Sequence, residues 1–151
     1  MKFVLLCLGL FFISSAHSQQ HLQVLLRNGE PAVAYALQQH QTSYEVYKKF
    51  GMDDSLFLKL NQHDTLHIFD DNVIYLAVKN VLLNACNGDA CIELFYLAAE
   101  KDNFKTIAGY FGNLNPFVIK ELNPLLETIA AGKPVLVGYL PAHMLDTKQR
   151  P

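Results

Sequence analysis

Positions spaced i, i+3, i+4 and i+7 in two stretches of the chain, 43–50 and 104–111, are apolar except for Ser43. That spacing predicts one buried face of a short helix in each. Thr42, with Glu45 three residues on, reads as a capping box for the first helix. Asn103 stands at the matching place before the second stretch, and Gly51 and Gly112 stand just past the two helix ends. Asp53 and Asn115 are good caps for a further helix in each case, and Pro116 occupies a first helical position. Leu56, Phe57 and Leu60, and then Val118, Ile119 and Leu122, supply the buried stripes of those helices. Segments 71–78 and 132–140 are rich in apolar and β-branched residues and read as closing strands.

These elements form a repeat. Tyr35, Val46, Phe50 and Gly51 align with Tyr96, Ile107, Phe111 and Gly112 at an offset of 61. Asp53, Phe57, Leu60 and Asn61 align with Asn115, Ile119, Leu122 and Asn123 at 62, so one residue is inserted after Gly112, where a loop tolerates it. A fixed period of this kind marks a duplicated module. The predicted fold class is α+β, with two strand–helix–helix–strand modules packed as a pair. Ser43 and Tyr47 replace Phe104 and Ala108, a small–large order against a large–small one on neighbouring helix positions. Such an exchange roughly conserves core volume.

Composition changes the picture at the ends. The chain has 151 residues, 51% hydrophobic and 17% charged, which is low charge for a soluble surface. Much of the apolar excess lies in the uncharged run 3–13, which follows Lys2 and precedes Ala16-His17-Ser18. A basic start, a short apolar core and small residues at the exit read as a signal peptide over 1–18, with cleavage before Gln19. The run is shorter than the ~20 residues a membrane-spanning helix needs. The expected location is secreted or periplasmic. Residues 19–32 read as a short strand or an ordered lead-in. The first module then covers 33–80, a linker 81–93, the second module 94–141 and a flexible tail 142–151.

Without residues 1–18 the chain carries 11 basic and 14 acidic residues. It has no basic patch to neutralise phosphates, which argues against nucleic acid as a partner. There is no nucleophile elbow, phosphate loop or His-Glu-x-x-His motif, and a non-catalytic protein without a cofactor is expected. Cys86 and Cys91 flank an Asn-Gly-Asp turn between the modules and read as a disulfide clasp, with a redox or metal role as the alternative. His63, Asp64, His67, Asp70 and Asp71 are the one cluster of metal-ligand residue types, and a polar loop is the favoured reading of it.

The segment 101–112, with Asn123-Pro124 and then Gly132-Lys-Pro-Val-Leu-Val137, resembles a LysM domain. The first module is similar to the same family, more distantly. Its loop glycine position holds His40 and its loop aspartate position holds Gln41, while Lys101 holds the glycine position in the second module. The resemblance implies a βααβ fold that binds glycans containing N-acetylglucosamine, such as peptidoglycan or chitin. It implies a groove in the second module with Lys101, Asp102, Asn103 and Phe104 on one side and Asn123, Pro124, Leu125 and Leu126 on the other. In the first module the corresponding residues are His40, Gln41, Thr42 and Ser43, then Asn61, Gln62 and His63. The other reading of Asp102, Asn103, Asn61 and Asn123 is structural, as helix caps and loop closures. Phe104, Ile107 and Phe111 read as core. An envelope protein-interaction adaptor that kept the fold without glycan binding is the alternative function.

Overall fold

The two-residue sequence Asn28-Gly29 sets up the first hairpin. Both residues adopt left-handed backbone, with φ of 52° and 79°. This is the geometry that matches a tight turn to the twist of its flanking strands. In the computed structural model, which describes residues 21–61, 73–78 and 91–145, that turn joins β1 (His21–Arg27) to β2 (Glu30–Ala36). Then come α1 (Ser43–Lys49), α2 (Asp54–Asn61), β3 (Val73–Ala77), β4 (Cys91–Leu97), α3 (Phe104–Tyr110), α4 (Pro116–Leu122) and β5 (Pro134–Pro141). A 3-10 turn, Ala142–Met144, follows β5. The chain is thus mixed α+β, and the order strand–helix–helix–strand occurs twice.

The helix signals act as their sequence suggests. Thr42 Oγ1 accepts from Glu45 N at 3.2 Å, and Glu45 Oε2 accepts from Thr42 N at 3.4 Å. Asn103 Oδ1 accepts from Lys105 N and Thr106 N, and the Thr106 hydroxyl accepts from Asn103 N. Asp53 and Asn115 cap α2 and α4 through bonds of 2.7 and 3.0 Å. Gly51 and Gly112 take φ of 68° and 86° after α1 and α3, a conformation in which a Cβ is costly. The exchanged core pair is also visible: Tyr47 and Ala108 are buried, while Phe104 is half-buried against the core.

The five strands form one sheet in the order β3-β2-β1-β4-β5. β1 runs antiparallel to β2 and parallel to β4, while β2–β3 and β4–β5 are antiparallel. The two modules therefore do not pair strand to strand. β1 lies between them. Exchanging β2 with β4 and β3 with β5 reverses every strand direction, so the modules are related by an approximate twofold axis through β1, normal to the sheet. The loops that leave β2 and β4 consequently lie at opposite ends of the sheet.

One row of side chains crosses all five strands. Leu76 pairs with Val33, Val33 with Val24, Val24 with Tyr96 and Tyr96 with Val135. Partners in register share a face, and all five residues are buried. The helices contribute Val46, Phe50, Leu60, Ile107, Phe111 and Ile119 to the same cluster.

Of the two readings of 19–32, a short strand or an ordered lead-in, residues 21–27 take the first as the central strand β1, and residues 30–32 begin β2, with Pro31 and Ala32 buried. The Asn-Gly turn makes this possible by pairing the lead-in with the module's own first strand. Residues 142–145, the described part of the expected tail, make contacts with the first module. The Tyr35 hydroxyl lies 3.1 Å from Leu145 O, and Lys49 Nζ donates to His143 O at 2.6 Å. β5 ends at the same end of the sheet as β2, so the chain leaving it meets the first module. Residues 1–20 with the expected signal peptide, Cys86, the residues 62–72 with the candidate metal cluster, and residues 146–151 lie outside the described residues.

Because Val24 joins the two halves of the row, Val24→Ala is expected to lower stability by about 2 kcal/mol, and Val24→Asp to unfold both modules together. Denaturant titration followed by far-ultraviolet circular dichroism and tyrosine fluorescence checks this. Two separated transitions would contradict it.

Candidate functional site

The loop between β4 and α3 is built around Asp102. Residues 99–102 form a turn closed by Asp102 N donating to Ala99 O at 3.1 Å. Asp102 Oδ2 accepts from Ala99 N at 2.7 Å and from the Tyr96 hydroxyl at 2.8 Å. Oδ1 accepts from the Tyr110 hydroxyl at 2.9 Å. The Thr106 hydroxyl lies 3.5 Å from Oδ1 but 2.9 Å from Asn103 O, so its single proton goes mainly to the latter. Burial pushes the Asp102 carboxyl pKa up. The bonds from Ala99, Tyr96, Tyr110 and Thr106 outweigh that and hold it below the usual range. The Tyr96 phenol is pushed well up by burial and by the adjacent carboxylate, and Tyr110 is raised chiefly by its bond to Asp102. With these donors Asp102 is a lock for the loop.

The first module keeps the lock and changes its chemistry. Gln41 Oε1 accepts from Gln38 N at 2.8 Å and from the Tyr35 hydroxyl at 2.9 Å. These donors sit 61 residues before Ala99 and Tyr96. A neutral amide oxygen therefore does here what a carboxylate oxygen does in the second module. Lys49 stands where Tyr110 stands and donates to His143 O. His40 takes φ of 72° in this turn, a left-handed conformation at the position where the LysM pattern has glycine. Lys101 does not share it.

Asn61 and Asn123 repeat a second device. Asn123 Nδ2 donates to Ile119 O and Leu136 O at 2.7 and 2.8 Å, and Oδ1 accepts from Leu136 N at 2.9 Å. Asn61 makes the same three bonds, to Phe57 O, Tyr75 O and Tyr75 N, at 2.9, 3.0 and 2.8 Å. Each amide ties its second helix to the outer strand of its module. It satisfies one residue's outward N–H and C=O at a sheet edge, where unpaired groups invite association.

With Asp102 and Asn123 consumed by the frame, the remaining candidates divide by exposure. Lys101, Asn103, Pro124 and Leu125 are exposed, Leu125 to 94%. Phe104 and Leu126 are half-buried against the core. Both loops reach the same end of the sheet, because Leu97 pairs with Pro134, Ala98 N donates to Lys133 O, and Asn123 holds Leu136 nearby. Gln41 and Thr42 lie at the other end. Gln62 and His63, the far side of that loop pair, fall outside the described residues, as does one half of the proposed clasp. Cys91 begins β4 opposite Pro141 and is half-buried. Among the described residues no group of three His, Cys, Asp or Glu side chains could hold a metal ion.

The chain matches no family model, no curated protein and no solved structure. The site therefore rests on its own geometry. That geometry also includes residues the sequence reading did not single out as part of the loops. Tyr35 and Tyr96 open both repeats at the same position, which was the available signal. Thr106 stands where Glu45 completes the first capping box, which was its signal, while Tyr110 stands where Lys49 does and shares no chemistry with it that would mark it.

Two measurements test the frame. Asn123→Ala strands the N–H and C=O of Leu136 and is expected to cost about 3 kcal/mol. Asn61→Ala, at a less buried site, should cost less. Asp102 has a lowered folded-state pKa, so its contribution is present above the unfolded value near 4 and is lost as pH falls through the folded value. Asp102→Asn should therefore be clearly less stable than the parent at pH 7, with the gap narrowing below about pH 4. Urea titrations at several pH values read this directly.

Proposed function

We propose that this chain is a non-catalytic, cell-wall glycan-binding protein built from two LysM-like modules, and that the loops of the second module take the sugar. One observation carries the reading. The loops 101–104 and 123–126 reach the same end of the sheet, each anchored by a buried polar side chain, Asp102 or Asn123. A rigid frame leaves Lys101, Asn103, Pro124 and Leu125 to be presented. An uncharged acetamide sugar calls for amide and backbone hydrogen bonds together with apolar contact for its methyl group and ring face. These side chains and their loops offer both. N-acetylglucosamine in peptidoglycan is the ligand this favours. The apolar run at 3–13 supports export to where such polymers are found. No helix among the described residues is long and apolar enough to cross a membrane.

A second reading is favoured by a different observation. Leu125 and Phe117 are 94% and 69% exposed, more apolar surface than a sugar groove requires. An envelope protein partner that covers them would make the chain an assembly adaptor.

Sedimentation with insoluble peptidoglycan and with chitin separates the two. The glycan reading expects retention, reduced several-fold by Leu125→Asp and Lys101→Glu. Absence of retention on both polymers, with an envelope protein co-purifying in a Leu125-dependent way, would replace it with the adaptor reading.

A further inference from the structure

The helix pair of the first module carries an aromatic and charged cluster with no equivalent in the second. Tyr47 stacks on Phe57 across the α1–α2 contact, with ring centroids 4.3 Å apart. Tyr44, one turn earlier, meets Tyr47 edge-on at 5.5 Å and is 59% exposed. Lys48 Nζ lies 5.4 Å from the centre of the Tyr44 ring and 5.2 Å from that of Tyr47. The same ammonium donates to Asp54 Oδ1 at 2.8 Å, and the Tyr47 hydroxyl donates to that oxygen at 2.8 Å.

A single exposed tyrosine means little. This one is held in place by an edge-on ring and a cation, so less freedom is lost when something stacks on it. The repeat supplies an internal comparison. Tyr44, Tyr47 and Lys48 correspond to Lys105, Ala108 and Gly109, and Asp54 corresponds to Pro116. The residues that hold the fold, Asn61 with Asn123 and Gln41 with Asp102, keep their bonds in both modules. The exposed members of the cluster have no such counterpart, so the fold does not require them.

The chemistry of the cluster is specific. Lys48 and Asp54 neutralise each other, which disfavours a charged ligand. Their side chains are 39% and 71% exposed. Between them they offer ammonium donors and carboxylate acceptors beside the exposed side chain of Tyr44. A pyranose needs just such a set: a ring for its axial C–H groups, and donors and acceptors for its hydroxyls.

We propose that Tyr44, Lys48 and Asp54 form a second sugar-binding surface, on the α1–α2 face of the first module, for a neutral pyranoside. This rests on reading the chain as a glycan binder and extends it. The chain then holds a polymer at two places, one on each module, and avidity follows from linkage of the two contacts.

Calorimetric titration of the whole chain with an N-acetylglucosamine hexamer and with a glucose hexamer tests this. The parent should show two sites for at least one of the two oligosaccharides. Tyr44→Ala should weaken one site about tenfold or more. Tyr44→Phe should retain it, and Asp54→Asn should weaken it. Thermal unfolding of all three should stay near that of the parent, because the altered groups are exposed. Leu125→Asp should affect the other site only. If Tyr44→Ala and Asp54→Asn titrate like the parent while Leu125→Asp still weakens binding, the surface on the first module is overturned and the proposed function stands. If Tyr44→Ala abolishes binding and Leu125→Asp has no effect, the second-module site is overturned and this one stands. If neither hexamer binds the parent, both fall.

Discussion

Val24 occupies the middle of a buried row that runs Leu76, Val33, Val24, Tyr96, Val135 across five strands. Everything else in the fold depends on that row being continuous. A βααβ module of this size has two strands, and a two-stranded sheet buries too little apolar surface to be stable by itself. β1 solves this for both modules at once. It offers one edge to β2 in antiparallel pairing and the other to β4 in parallel pairing. Two marginal units thus become one sheet with a shared core, which also accounts for the high apolar content of a chain with so little charge.

The outer strands then need a different solution, because joining the modules at the centre leaves β3 and β5 at the edges. Asn61 and Asn123 provide it in the same way. A side-chain amide carries a donor and an acceptor in the spacing of a peptide group, so it can take the place of a neighbouring strand for one residue. Asp102 and Gln41 likewise accept from a backbone N–H in the loops that follow β4 and β2. That a carboxylate and an amide serve at equivalent positions shows what the loop demands: an acceptor oxygen at the right place, whatever its charge. The charged version lies with two tyrosine hydroxyls, Tyr96 and Tyr110, and the neutral version with one, Tyr35. Lys49, at the position of Tyr110, donates to His143 O and holds the chain after β5.

This division bears on function. Side chains that match a family pattern fall into those that build the loop and those that remain available. Asp102 and Asn123 are used by the fold itself, through bonds to Ala99, Tyr96 and Tyr110 and to Ile119 and Leu136. Lys101, Asn103, Pro124 and Leu125 are what the frame leaves for contact, and Tyr44, Lys48 and Asp54 are a feature of one module alone. The antiparallel relation of the modules also separates their loops to opposite ends of the sheet, so a ligand held by one set is out of reach of the other unless it is long.

Sequence by itself determined the local elements. Capping residues, helical spacing and the 61-residue offset act within about one turn or one repeat, and they placed α1 to α4 without reference to anything distant; the bonds of Asn61 and Asn123 to Tyr75 and Leu136 needed the outer strands in place. It did not determine the role of β1. Leu22, Val24 and Leu26 read equally well as a lead-in, because a strand's partners are set by pairing with segments far along the chain, here Val33 and Tyr96. The same holds for Asp102, whose partners Tyr96 and Tyr110 come from different elements, and for Ala142–Leu145, which meets the first module only because β5 runs antiparallel to β4. Short-range physics is written along the chain. Which edges meet, which ends coincide and which side chains remain exposed were decided by the tertiary structure, since each depends on the summed burial and pairing of all five strands.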